Sequence, residues 1–288
     1  MIRYRNFQDI HDLELQRKFW LEVTRELPWA WKPNKTQLHF AQDPDFDPRT
    51  KIFAYDETEL VGYISCIKRE TFIPFGFPWV AKGYEGEVQE ELFNRMFEYA
   101  SGPLGGKSFL QRFREEWCTQ IDFFKKKGFK LAFSYPIYIR DLSSTQLEIS
   151  DSNLTQNILP SLPSDILVDL ASKDPRYGKE NLTELTSYYN DVDFDLILVL
   201  YDQDQAVSMA AVTSREDTNY SEMNLIVSDR KYPKATANIL EHTLKELHKR
   251  NRKHVSITLE EEDPIIETIE GYNFLPQSRS VFYSKELE

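Results

Sequence analysis

The hydrophobic positions of this chain switch between alternation at every second residue and spacing of three or four, and the switches come in the same order twice. Lys51-Ile-Phe-Ala-Tyr55-Asp56 turns through polar residues into Leu60-Val61-Gly62-Tyr63-Ile64, the pattern of a hairpin. Leu196-Ile-Leu-Val-Leu-Tyr201-Asp202 turns likewise through Gln203-Asp204-Gln205 into Ala206-Val207-Ser208-Met209. Tyr201 lies 146 positions after Tyr55, and Val207 lies 146 after Val61. A strand ending at Val80 returns 147 positions later at Val227, each followed by a loop and a helix. A helix closing on Gly128-Phe129 returns 145 positions later at Asn273-Phe274. Each leads into a last strand, Phe133 to Ile139 or Arg279 to Tyr283. Landmarks at a nearly constant offset mark an internal duplication.

Each copy reads as strand, helical segment, hairpin, strand, helix, strand, helix, strand. That alternation predicts an α/β fold of two tandem domains, each a mixed, mostly antiparallel sheet flanked by helices. The expected ranges are 1–145 and 153–288, joined at Leu142 to Ser152, where Ser-Ser-Thr and Ser-Asp-Ser cluster. The first copy opens with a strand, Ile2 to Phe7, and a helix through Asp9 to Arg25 with Ile10, Leu13, Leu15, Phe19 and Val23 on one apolar face. The second opens less clearly, because Pro160 and Pro163 interrupt Leu154 to Leu170.

Composition narrows the partners. The 288 residues include 35 Lys plus Arg against 47 Asp plus Glu, and a net charge of -12 argues against nucleic acid as a general partner. The longest strongly apolar stretches, Phe72 to Ala81 and Leu196 to Tyr201, fall short of the roughly 20 residues that cross a bilayer. With no apolar signal core behind Met1-Ile2-Arg3-Tyr4-Arg5, a cytoplasmic protein without membrane contact is expected. Two cysteines, Cys66 and Cys118, read as buried free thiols, and the five histidines show no metal-ligand spacing, so no metal is expected. Gly102-Pro-Leu-Gly105-Gly106-Lys107-Ser108 imitates a phosphate-binding loop. It has a helical stretch before it and a strand-like one after it, the reverse of what that loop requires, and it reads as a helix-to-strand connection.

The order of elements resembles the GNAT acetyltransferase superfamily. The residues that carry the resemblance are Asp43-Pro-Asp-Phe-Asp-Pro48, the strand Leu60 to Ile64, Phe77-Pro78-Trp79-Val80-Ala-Lys-Gly83-Tyr84-Glu85-Gly86, and Phe123-Phe124-Lys-Lys-Lys-Gly128-Phe129. The resemblance implies an acyl donor, acetyl-CoA, whose diphosphate rests on small residues between a strand-ending Val and a helix N-terminus, where backbone N–H groups and the helix dipole meet it. In the first copy the aligned residues are Glu85, Gly86, Glu87, Val88, Gln89 and Glu90, with Glu85 where a base belongs and the side chains of Val88 and Glu90 where small residues belong. In the second they are Tyr232, Pro233, Lys234, Ala235, Thr236 and Ala237, with Lys231 beside them and Val227 ending the strand. The second copy is therefore the expected acetyl-CoA site.

The resemblance also implies a tyrosine that protonates the departing thiolate, but Phe124 and Ile269 stand at its two positions, and Tyr272 is out of register. A general base is implied on the strand that ends at Val227, where Glu222 and Asn224 alternate; Thr71 to Val80 of the first copy has no acid. Taken singly, Glu222 reads as a solvated carboxylate, Lys231 and Lys234 as surface charges, and Trp20, Trp29, Trp31 and Phe40 as core or as a lid over a cleft. The expected function is transfer of an acetyl group from acetyl-CoA to an amine of a small molecule or peptide. The alternative is a catalytically inactive GNAT-fold binding or scaffolding protein, and the oligomeric state is left open.

Overall fold

The computed structural model describes residues 1–33, 46–143, 153–177, 182–190 and 192–287. Asp43 to Asp45, Phe40 and most of the expected junction lie outside the described residues. Two compact units divide the chain, the first made of residues 1–33, 46–134 and 280–287, the second of 135–143 and 153–279 among those described. The expected domains were contiguous; the units are not, because each sheet is completed by a strand from beyond its own range.

In the first unit, β1 (Ile2–Asn6), β2 (Lys51–Asp56), β3 (Glu59–Ser65) and β5 (Trp79–Val80) form one antiparallel sheet in that order. Beside it run β4 (Ile73–Pro74), β6 (Ser108–Arg114) and residues 280–286 of the chain's last strand, β13 (Leu275–Glu286). Helices α1 (Ile10–Val23), α2 (Glu87–Ser101) and α3 (Cys118–Lys126) cover these strands, and β7 (Lys130–Asp141) leaves the unit. Asp9 caps α1 by accepting the His11 N–H at 2.9 Å. The buried face of α1 is Leu13, Gln16, Phe19 and Trp20, whereas Ile10 is half exposed. The expected stripe through Ile10 and Leu15 is thus displaced, toward the face on which Trp20 meets Trp79 edge-on at 4.9 Å and Trp31 stacks on Trp117 at 4.8 Å. These tryptophans are core of the first unit. Cys66 is buried as expected, but Cys118 is exposed at the start of α3.

The single strand expected over Thr71 to Val80 is broken at Gly76. The Gly76 N–H donates to Ser65 O at 2.8 Å, and a Cβ there would stand 2.5 Å from that same oxygen. Backbone cannot yield as a flexible side chain would. Gly76→Ala is expected to lower unfolding free energy by roughly 1–3 kcal/mol in urea titration, and an unchanged midpoint would refute the account.

The second unit has one sheet, ordered as residues 137–141 of β7, then β12 (His254–Thr258), β11 (Tyr220–Ser228), β10 (Gln205–Ser214), β9 (Leu196–Asp202) and β8 (Thr155–Leu159). Only the β11–β12 pair is parallel. Pro160 and Pro163 fall in the turn between β8 and α4 (Ser164–Ala171). One face of the sheet packs Leu198, Ala210, Val212 and Ile226 with Ile239, Leu240 and Leu244 of α6 (Ala235–Lys249). The other packs Val199, Met209, Ala211, Leu225 and Val227 with Leu167 and Leu170 of α4, beside α5 (Leu182–Asn190). The short α7 (Ile266–Gly271) precedes β13.

The internal repeat is visible in hydrogen bonds. Gly128 and Asn273 both take left-handed φ, +83° and +59°, after α3 and α7, and Phe129 and Phe274 donate back to Phe124 O and Ile269 O at 3.1 and 3.2 Å. Val61 O accepts the Ala81 N–H as Val207 O accepts that of Asp229, both at 2.9 Å. The ladders therefore align Trp79 with Val227 and Val80 with Ser228, one residue away from the expected Val80–Val227 correspondence.

Candidate active site

The second unit's sheet opens where its two parallel strands part. β11 pairs with β12 from Tyr220 to Glu222 and then continues to Ser228 paired with β10 on its other edge. At the parting, Glu222 has Thr213 of β10 and Ser256 of β12 as ladder partners. It is only 7 % exposed, so it is a buried carboxylate and not the solvated one its sequence context suggests. Asn224 reaches the hydroxyl of Thr213, Glu222's ladder partner. A bulge between Ala211 and Val212 on the β10 register leaves Asn224 without a ladder partner, and its Oδ1 accepts from the Thr213 N–H and hydroxyl at 3.1 and 2.8 Å.

Peptide groups along an antiparallel strand point alternately toward and away from the neighbour. Since the Asp229 N–H points at β10, that of Val227 does too, and the peptides of Ile226 and Ser228 face the open side. Val227 was expected to touch the acyl donor; instead its side chain is fully buried and its peptide is spent on the ladder. Its neighbours are what a ligand would meet. The sequence signal for this was the strand period itself, once the bulge is placed.

Beyond Ser228, six residues lead to α6. The Lys231 N–H donates to Asp229 Oδ1 at 2.9 Å, which closes the turn, while the Lys231 and Lys234 side chains are exposed. Tyr232 is half-buried against the α6-side core, where burial and the Asp202 carboxylate push its phenol above the usual range. Ala235, the first residue of α6, is 1 % exposed, which corrects its expected role as open room for a phosphate. Thr236 donates its hydroxyl to Ser228 Oγ at 3.1 Å, and Ala237 is partly exposed. Lys234 occupies the N-cap with no side-chain cap, and the first turn holds no acid. The Ala235 N–H is spent on Tyr232 O at 2.9 Å, which leaves the N–H groups of Thr236 and Ala237 and the helix dipole beside two lysines.

The equivalent region of the first unit has different chemistry. Pro78 stands where Ile226 stands in the second, so the inward peptide has no N–H, and its carbonyl accepts from Gln89 Nε2 at 3.2 Å. Gly86, at φ +92°, caps α2, and Glu87 and Glu90 lie in the first turn. The expected cluster of glutamates is partly neutralised, since Glu85 accepts the Gly83 N–H at 2.7 Å and Glu90 pairs with Lys127. Phe124 and Ile269, at the two positions where a phenol was looked for, are both fully buried. Arg140 donates to Tyr272 O, and burial raises the Tyr272 phenol. Among the described residues no group of three His, Cys, Asp or Glu side chains could hold a metal, and no helix is long and apolar enough to cross a membrane.

Solved structures share this architecture. A tandem GNAT protein from the clavulanic acid biosynthesis pathway superposes with a TM-score of 0.71 at 12% identity, covering 99% of this chain and 98% of that one. Saccharomyces cerevisiae N-myristoyltransferase with bound myristoyl-CoA gives 0.62 at 12% identity, over 99% of this chain and 79% of that one. A GCN5-related N-acetyltransferase from Sphaerobacter thermophilus gives 0.58 at 12% identity, over 99% and 95%. No family model and no curated protein sequence matches the chain. The fold is a tandem GNAT fold, with mixed α/β units, as the repeat and its motifs predict.

Proposed function

We propose that this chain, built on a tandem GNAT fold, is an acyltransferase that moves an acetyl group from acetyl-CoA to an amine, with its working site in the second unit. The observation that carries the reading is the parting of β11 from β12 after Glu222, which turns the Ile226 peptide toward the gap in front of an uncapped α6. The neighbouring tandem GNAT and myristoyl-CoA-bound folds support an acyl-CoA donor.

An extended ligand with amide groups, such as the pantetheine arm, would add to the open edge of β11 as an extra strand does, through the Ile226 and Ser228 peptides. Its diphosphate would lie at Lys231, Tyr232, Lys234, Thr236 and Ala237, against the Thr236 and Ala237 N–H groups and two cations. The Ile226 N–H would hold the thioester oxygen as negative charge develops there. Pro78 supplies no such donor in the first unit, which is why the second is chosen. Glu222 takes the proton from the attacking ammonium, the free amine adds to the carbonyl carbon, the C–S bond breaks, and the nitrogen's second proton passes to the departing thiolate, giving the amide and the CoA thiol.

The non-catalytic reading is favoured by one observation, the hydrocarbon at Phe124 and Ile269 where a proton donor for the thiolate would stand. Two measurements separate the readings. Calorimetry with acetyl-CoA should show binding, and acetylation of a panel of primary amines should show turnover that Glu222→Gln lowers about 100-fold with acetyl-CoA affinity retained. Binding without turnover on any amine, or no binding at all, would defeat the acyltransferase reading and leave the inactive binding or scaffolding protein standing.

A further inference from the structure

The open edge of β11 is occupied by the second unit's own side chains, and we propose that residues Asp174 to Tyr177 form an internal latch that competes with the acyl carrier for that edge. This rests on the placement of the donor in the second unit argued above. Asp174 Oδ2 accepts the Ser228 N–H at 3.0 Å. Arg176 donates through Nη2 to Ile226 O, and the Tyr177 hydroxyl reaches the same oxygen at 3.4 Å. A little further back, the Tyr189 hydroxyl donates to Asn224 O at 2.8 Å. The notch-side carbonyls of Asn224 and Ile226 and the notch-side N–H of Ser228 are thus all engaged.

The latch is internally tied. Arg176 grips Asp174 with Nε on Oδ1 at 3.0 Å and Nη2 on Oδ2 at 2.7 Å, and the two side chains are 9 % and 4 % exposed. One guanidinium therefore binds both the competing carboxylate and the strand carbonyl next to it, so the two contacts release together. A carboxylate is a stronger acceptor for a backbone N–H than the neutral amide carbonyl of a pantetheine arm. The carrier can take the edge only by drawing on its other contacts, the Ile226 N–H and the first turn of α6. In the first unit no such carboxylate stands at Val80, the counterpart of Ser228, among the described residues. The latch is a property of the second unit, where the donor is placed.

If Asp174 and Arg176 only satisfied a buried strand edge, removing them would weaken the site. A competitor predicts the opposite sign. Calorimetry with CoA on the full chain should give Asp174→Ala a dissociation constant about tenfold lower than that of the unsubstituted protein. Amide exchange at Ser228 should be slow in the free protein and fast in the free variant. Asp174→Asn, which keeps the shape and loses the charge, should tighten binding about threefold, and it serves if the alanine variant does not fold. CoA binding that is equal or weaker in the variants overturns the latch and leaves the acyltransferase reading intact. CoA binding to none of the proteins overturns that reading, and the latch with it.

Discussion

Ala237→Glu should weaken acetyl-CoA binding by about three orders of magnitude, while Gln89→Ala, at the equivalent position of the first unit, should leave it unchanged. Ala237 lies in the first turn of α6, partly exposed, with no acid in that turn and no side chain over its N–H groups. A carboxylate about 4 Å from a phosphate opposes it by about 4 kcal/mol at an effective dielectric of about 20, roughly a thousandfold in affinity. Ala237 is the position for this test because Ala235, fully packed at the helix start, would fail through lost packing alone. Calorimetry on both variants decides. Retained affinity in Ala237→Glu, or its loss in Gln89→Ala, would move the donor out of the second unit.

The contrast between the units rests on three positions whose meaning differs in sequence and in structure. Pro78 reads in the sequence as part of an apolar strand, yet at its ladder position it deletes the N–H that Ile226 supplies in the other copy. Glu222 reads as one acid on an alternating strand, and alternation put Asn224 beside it. The bulge at Asn224 reverses the phase of everything beyond it, which puts Ile226 on the α6 face with Met223, and Leu225 and Val227 on the other. Asp174 and Arg176 carry no motif at all. Their contacts with β11 span 50 and 54 positions of chain, and no local pattern encodes a pairing of that length.

What was legible came from period and punctuation. The hairpins, the Gly128 and Asn273 turns and the repeat itself depend on neighbours a few residues apart, so the sequence states them directly. Unit boundaries depend on which sheet a terminal strand joins. Residues 280–286 alternate equally well for either sheet, and their place beside β6 is a matter of partners far away in the chain. The register of the phosphate loop was missed by one residue for a related reason. Gly76 and Asn224 interrupt their strands at different points, so a fixed offset cannot hold on both sides of the break.

Lys51→Met should raise the unfolding free energy at pH 7 by on the order of 3 kcal/mol, and the gain should disappear as pH rises from about 8 to above 10.5. Lys51 opens β2, is 4 % exposed, and among the described residues has no carboxylate within ion-pair distance. Burial lowers its ammonium to about 8 from 10.5, and Cys66, the nearest titrating neighbour, offsets this only slightly. Below pH 8 the folded protein carries a buried charge without an ion-pair partner among the described residues, and the fall from 10.5 to about 8 sets its cost at about 3 kcal/mol. Between about 8 and 10.5 the unfolded chain holds the proton and the folded one has released it, so stability rises with pH in that window. Burial pushes the Cys66 thiol up to about 12, with Asp47 adding to the push, and it titrates with the opposite sign above about 9. The Lys51 ammonium pulls that thiol down, but folded Lys51 has lost its proton near pH 8, before the thiol titrates, so the difference between the two proteins follows Lys51. Methionine matches the length and flexibility of the lysine stem and brings no charge. Urea unfolding of both proteins at pH 7 and pH 10 gives the result; a variant less stable at pH 7, or an advantage that grows toward pH 10, would show that Lys51 is not held as a costly buried cation.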